Sequence, residues 1–324
     1  MKLLQRINSP LRALPKGGAQ WGCLLALLLW LTVGVNKAQA QLDPLDTQYL
    51  FNMQLVNPAY VGTAENYRII AMTLNQWVGV DKAPTTNTIS FQSPTSKKDM
   101  AFGVSVMSDN FAYVNRLTVF VDYSYAVALN NRGKKLRFGL KAGFANYSND
   151  LGSYATLDNT DPYFQGTIEQ NFMPNFGVGI FFQDKDYYFG ASIPKLLEFD
   201  VDADVNKDWN IQSDLRHWTF IGGYIYEIDR DLQFKPSMCV RLVSNMPPSI
   251  DLNANFLIKD FLWLGGMYRY DAGFGVMAQW EISPKVSLGY SVDFYTQGIY
   301  SNSLGMHEIM LSYDFGKPSR RRFY

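Results

Sequence analysis

The stretch RLTVFVDYSYAVAL, residues 116–129, changes character at every step. Leu117, Val119, Val121, Tyr123, Tyr125, Val127 and Leu129 fall on one side, while Arg116, Thr118, Asp122, Ser124 and Ala126 make most of the other. Period two is the side-chain period of an extended strand, so this is a strand with one apolar and one polar face. Directly after it, Leu136, Phe138, Leu140, Ala142 and Phe144 oppose Arg137, Gly139, Lys141 and Gly143, and Asn130, Asn131, Arg132 and Gly133 between the two runs are turn formers. The two runs read as a hairpin.

The same template fits 67–78, 86–92, 100–107, 175–183, 187–193, 217–227, 232–243, 250–258, 261–270, 273–282, 286–295 and 306–315, which with the first two makes fourteen segments. In 232–243, Leu232, Phe234, Met238, Val240 and Leu242 share a face, and Gln233, Lys235, Ser237, Cys239 and Arg241 share the other. A face carrying two cations and a thiol points to a polar lumen. A strand crossing a bilayer obliquely takes roughly 9–11 residues, and no span after the first forty residues is apolar enough for a membrane helix. The fold class expected is therefore all-β: a closed antiparallel transmembrane β-barrel of about fourteen strands. If the first strand rises from the periplasm, the links 130–134, 184–186, 228–231, 259–260 and 283–285 are tight periplasmic turns. The longer stretches 79–85, 108–115, 148–174, 194–215, 244–249 and 296–305 become extracellular loops.

Aromatic residues make up 15% of the chain. Trp77, Tyr187, Tyr188, Tyr226, Tyr268, Tyr270, Trp280, Tyr313 and Phe315 lie at strand ends, where they read as interfacial girdles or as ordinary sheet packing.

Lys2, Arg6, Arg12 and Lys16 precede an apolar run from Trp21 to Val35, followed by the small-x-small site Ala38, Gln39, Ala40. This is a secretory signal cleaved near Ala40, whose apolar core is short for a membrane anchor. Cys23 lacks the apolar residues before it that a lipoprotein signal needs. The domain plan is a signal at 1–40, an N-terminal periplasmic or plug segment at 41–62, a barrel at 63–315 and a basic periplasmic tail at 316–324. Removing 1–40 takes five of the 29 basic residues and no acidic one, leaving 24 against 29. No basic field for nucleic acid remains. With Cys239 the one thiol left after processing, no disulfide within the chain can form.

Chemistry is sparse. The two histidines, His217 and His307, fall on the eighth and fourteenth segments without a serine nucleophile in any recognisable pattern. Asp200, Asp202, Asp204, Asn206 and Asp208 alternate as calcium ligands do, yet Val205 stands where the loop needs glycine and Ile211 where it needs glutamate. Transition-metal clusters and phosphate-cradling glycine motifs are absent from the sequence, so no enzyme, metal or cofactor is expected. The strand glycines read as relief for crowding and curvature.

Gln48, Tyr49, Leu50, Phe51 and Asn52, then Asn57, Pro58, Ala59, Tyr60, Val61 and Gly62, then Gln76, Trp77, Val78 and Gly79, then Ala83, Pro84, Thr85 and Thr86 form an ordered set. With Pro174 to Gly179, Ser192 to Pro194, Leu196 and His307 to Leu311, this set resembles the PorP/SprF family of type IX secretion system membrane proteins over nearly the whole processed chain. The resemblance implies a non-enzymatic outer-membrane protein of Bacteroidota that helps export or anchor large surface proteins, including gliding adhesins. The partners it implies are the periplasmic ring proteins, a peptidoglycan-binding lipoprotein and a secreted protein with a type IX sorting domain, beside outer-membrane lipid. Strand number alone leaves another reading open, an outer-membrane channel or hydrophobic-ligand transporter of the fourteen-stranded fatty acid transporter type. Within the pattern, Asn57 and Pro58 begin a turn leading into the first strand, and 41–62 is open between a periplasmic platform, a short plug and a purely structural lead-in. Pro84, Thr85 and Thr86 close the first outer hairpin. The tail Arg320, Arg321, Arg322, Phe323 and Tyr324 is either a docking peptide or a solvated end.

Overall fold

The computed structural model describes residues 47–315 apart from 65, 95–98, 131–132, 155–165, 198, 201–209, 212–215, 245 and 297–302. Among these, fourteen strands build one sheet: Tyr67–Asn75 (β1), Thr85–Pro94 (β2), Met100–Phe111 (β3), Val114–Ala128 (β4), Lys135–Asp150 (β5), Thr167–Gln183 (β6) and Tyr187–Ile193 (β7), then Trp218–Tyr224 (β8), Leu232–Leu242 (β9), Ser249–Ile258 (β10), Leu262–Arg269 (β11), Gly273–Ser283 (β12), Val286–Tyr295 (β13) and Met306–Phe315 (β14). Each pairs antiparallel with its neighbours in sequence, and β1 pairs with β14 from Tyr67↔Phe315 to Asn75↔His307. The ladder therefore closes into a barrel and leaves no free sheet edge around the ring. No helix among the described residues is long and apolar enough to cross a membrane.

Alternation settles which face is which. On β4, Leu117, Val121, Tyr125 and Val127 are exposed on the outside, whereas Thr118, Asp122, Ser124 and Ala126 are buried on the inside. On β9, Lys235, Ser237 and Cys239 face inward and Met238 outward. The outward wall is apolar, as lipid requires, and the inward face is mixed: buried polar groups stand beside Ile70, Met72, Phe181, Ile221, Leu257, Met277 and Met310. Of the expected girdle residues, Tyr187, Tyr226, Tyr268, Tyr270, Trp280, Tyr313 and Phe315 are exposed. Tyr188 is a correction: it is buried, pointing inward and stacked on Phe181 at 5.7 Å between ring centres.

The periplasmic turns are as short as expected. Lys259 and Asp260 both take positive φ, 49° and 58°, which makes a two-residue turn matched to the twist of β10 and β11. Outside, two expectations are corrected. The stretch 108–115 is no loop, because β3 and β4 continue to a tight turn at Ala112 and Tyr113, and β5 and β6 likewise pair out to Asp150↔Thr167 within 148–174. The outer link 270–272 is also tight, its Ala272 N–H bonded to the Arg269 carbonyl at 3.1 Å. Short and long links thus do not alternate strictly. The first strand stops at Asn75, short of 78, where the chain turns through Trp77 at φ 49°. The eighth breaks at Ile225, whose N–H bonds the Asp186 carbonyl at 2.6 Å before Tyr226 and Glu227 resume pairing with β9. His217 precedes that strand rather than lying on it.

Candidate functional site in the barrel lumen

Residues 47–62 run inside the ring. They form three short 3-10 turns, Thr47–Phe51, Met53–Leu55 and Pro58–Tyr60, and every residue from Thr47 to Val61 except Leu55 is buried. Their backbone is satisfied locally: Asn52 N–H donates to the Tyr49 carbonyl at 3.0 Å, Asn57 N–H to Met53 at 2.8 Å and Tyr60 N–H to Asn57 at 3.1 Å. A segment that cannot join the surrounding ladder has to close its own hydrogen bonds, and tight turns do so.

Contacts with the wall come from all round the barrel. On the β13–β14 side, the Gln48 backbone N–H donates to the Glu308 carboxylate at 3.1 Å, its side-chain amide donates to the Glu308 carbonyl at 3.3 Å, and the Thr47 hydroxyl donates to Asp293. From β10, Asn253 Nδ2 donates to the Tyr49 hydroxyl at 2.9 Å. Phe51 meets Trp263 of β11 edge to face, with ring centres 6.0 Å apart. Across the lumen, Gln54 Nε2 donates to Asp122 of β4 at 2.9 Å and Lys141 Nζ of β5 donates to the Gln54 carbonyl at 3.2 Å. Ser192 of β7 donates to the Val56 carbonyl at 2.6 Å, Ser124 of β4 to the Val61 carbonyl, and Arg137 of β5 to the Gly62 carbonyl at 2.5 Å. Gln48 and Glu308 stand at opposite ends of the ordered sequence pattern, and the fold makes them partners.

The turn at Asn57 is the most closely fitted part. Asn57 has the extended backbone of a helix cap, its Oδ1 accepts from Ala59 N–H at 2.9 Å, and Pro58 follows at the first helical position. The other end of the same amide donates to the Ile180 carbonyl of β6 at 3.0 Å. The turn lies flat on the wall because Gly139 of β5, Gly179 of β6 and Gly190 of β7 present no side chain there. A Cβ on Gly139 would fall 2.1 Å from Ala59 N, one on Gly179 2.2 Å from Asn57 Oδ1, and one on Gly190 2.8 Å from Asn57 Nδ2. Gly139 and Gly179 are direct cross-strand partners. Beside this slot Tyr60 stacks edge to face on Phe181 at 5.6 Å. Sequence reading explained these glycines by crowding and curvature; their inward position on neighbouring strands was the signal that something approaches the wall.

Charge in the lumen is largely balanced within the wall. Arg68 pairs with Asp314 at 2.6 Å, Lys141 with Asp122 at 3.3 Å and Arg269 with Asp251 at 2.7 Å. Each pair joins residues directly opposite in the ladder. Arg68 and Arg269 each reach both oxygens of their partner's carboxylate, the forked geometry that makes such pairs strong.

Other residues of the pattern lie at the outer mouth. Gln76 N–H bonds the Pro84 carbonyl at 2.9 Å, Val78 N–H the Gly305 carbonyl at 3.1 Å and Leu304 N–H the Val78 carbonyl at 3.0 Å, which extends the β1–β14 seam beyond the strands. Trp77 meets Phe111 edge to face at 6.0 Å, Gly79 has φ 99°, and the Thr85 hydroxyl donates to the Asn75 side chain at 3.3 Å. Lys82 lies 3.7 Å over the Tyr113 ring, and Tyr113 meets Tyr154 at 4.7 Å, so the first outer loops cohere through aromatic contacts. His307 is a rim residue, hydrogen-bonded to the Tyr290 hydroxyl at 2.6 Å. The tail Arg320 to Tyr324, the signal, and Asp202 to Asp208 of the acidic stretch lie outside the described residues.

Comparison with known proteins follows the same line. The family model described as "Type IX secretion system membrane protein PorP/SprF" matches residues 38–313. No curated protein sequence matches the chain. Solved structures similar to it include the outer membrane protein Omp33 of Acinetobacter baumannii, 10% identical over 77% of this chain and 98% of that one with a TM-score of 0.47. The KdgM porin is 8% identical over 77% and 99% with a TM-score of 0.39, and the NanC porin 12% over 78% and 100% with a TM-score of 0.39.

Proposed function

The chain belongs to the PorP/SprF family of type IX secretion system membrane proteins, and on that premise we propose that it acts as a sealed outer-membrane anchor whose surfaces, not its lumen, do the work. The reading is non-enzymatic: the barrel anchors or selects exported surface proteins at its outer face and meets the periplasmic ring machinery through its short turns and the basic tail Arg320 to Tyr324. The observation that carries it is the occupation of the lumen by residues 47–62, bonded to β4, β5, β6, β7, β10, β13 and β14. A passage for folded or unfolded polypeptide, or for a hydrophobic ligand, requires that segment to leave, and Asp122, Glu308 and Asn253 would then lose their buried hydrogen bonds to it. This weighs against the channel and transporter alternative.

Planar-bilayer recording tests the reading. The processed protein is expected to hold the membrane tight, while a variant lacking residues 47–61 opens discrete channels. Surface display of the secreted partner is expected to persist in that variant if the fold is kept. Equal conductance by the two proteins would sink the sealed-anchor idea in favour of a channel. For the periplasmic half, removal of residues 320–324 is expected to lower co-purification of ring subunits; undiminished recovery would assign the tail no docking role.

A further inference from the structure

The segment inside the barrel has a direction, and that direction fixes where the chain before it goes. Its first described residue, Thr47, donates a hydrogen bond to Asp293, and Asp293↔Met306 is the outermost pair of the β13–β14 ladder. Gln48 meets Glu308, the next inward residue of β14 below that pair, and Tyr49 meets Asn253 near the middle of β10. Phe51 is on the other side of the lumen. It meets Trp263, whose partner Leu257 stands one pair from the 259–260 turn, and with Arg68, Ser287, Ser312 and Asp314 it borders a cavity of about 10 Å³. The descent from Thr47 to Phe51 thus runs from the outer side of the lumen towards the periplasmic side. After crossing to β4, β5, β6 and β7 the segment ends at Gly62, whose carbonyl accepts from Arg137 near the 130–134 turn, and the chain enters β1 at Tyr67↔Phe315.

The residues before Thr47 therefore start from the outer side. A return to the periplasm would take them back past Tyr49, Leu50, Phe51 and Met53, which are at most 6% exposed, and the cavity beside Phe51 has room for about one water. Cleavage near Ala40 leaves residues 41–46 ahead of Thr47, a leader that reaches about 21 Å at full extension. The strand from Asp293 to Val286 at the periplasmic end of β13 is about 23 Å long, so a return would need the whole leader, drawn straight, in a space already filled. We propose that the chain enters the lumen through the outer mouth, so that the leader and the α-amine left by signal cleavage stand at the cell surface. The C-terminal tail leaves at the opposite end, where β14 stops at Phe315. The two ends of the processed chain then lie on opposite sides of the membrane, and residues 41–46 take no part in a periplasmic platform. The leader carries Asp43 and Asp46 and no basic residue, which adds an acidic element to the outer face. The assignment of sides rests on the orientation used above, with the short turns in the periplasm.

Cysteine accessibility on intact cells tests the path. Asp43→Cys and Ser319→Cys are made singly in the full-length protein, whose own Cys239 is buried, so that the unsubstituted protein serves as the blank. Both are exposed to a maleimide–polyethylene glycol too large to cross the outer membrane, and unheated gel mobility reports that they are folded. Asp43→Cys is expected to gain the mass of one label on intact cells, and Ser319→Cys only after the outer membrane is permeabilised. If Asp43→Cys likewise waits for permeabilisation, or for unfolding, while Ser319→Cys keeps its pattern, the proposal is overturned and the orientation of the barrel stands. Labelling of Ser319→Cys on intact cells would overturn the proposal together with that orientation, on which the proposed function also rests.

Discussion

Asn57 combines three roles in one side chain: it caps the Pro58–Tyr60 turn, ties it to Ile180 and occupies the slot left by Gly179 and Gly190. Asn57→Ala is therefore expected to cost about 1–2 kcal/mol, while Asn57→Asp keeps the cap acceptor but buries a carboxylate oxygen against the Ile180 carbonyl and is expected to cost at least as much. The thermal midpoint of the heat-modifiable gel band reads both. Gly139→Ala puts a methyl group into the backbone of Ala59, so a loss of about 1–3 kcal/mol is expected together with single-channel leakage in bilayers as the turn lifts from the wall. Lys141→Met strands Asp122 in the lumen and is expected to cost about 3–5 kcal/mol by urea titration in vesicles, whereas Lys141→Met with Asp122→Leu recovers much of it. Of these residues the sequence showed the inward polarity of Asp122 and Lys141 and the turn at Asn57. It did not show that Gln48 meets Glu308, because a partner 260 positions away leaves no local trace.

Strand existence is written locally; strand ends are not. All fourteen period-two segments became strands, yet β3, β5 and β6 run well past the alternation that revealed them. Beyond the membrane both faces of a sheet meet polar surroundings, so the apolar–polar alternation that marks a crossing fades; residues 143–150 of β5 are all half-buried. The hairpin between β10 and β11 carries a different lesson. Lys259 and Asp260 hold positive φ at a cost that asparagine and glycine would not incur, so Lys259→Asn with Asp260→Gly is expected to stabilise the barrel by about 1 kcal/mol, seen as a higher urea midpoint.

The molecule depends on closure of β1 against β14, where Arg68 and Asp314 face each other near the periplasmic end of the seam. Asp314→Ala leaves Arg68 without its forked partner at the seam that closes the ring, and slower conversion to the folded gel band is expected on refolding into vesicles. On the outer wall, Val121→Arg is expected to cost about 2–4 kcal/mol in the same system, since its exposed neighbour is lipid. The sequence by itself determined the barrel, its strand number, the sidedness of each strand and the short periplasmic turns, because hydropathy with period two and turn chemistry act over a few residues. Tertiary structure alone decided that residues 47–62 lie within the ring, which inward glycines receive them and which charges pair, because closing the sheet brings together residues far apart in the chain and encloses the space they share.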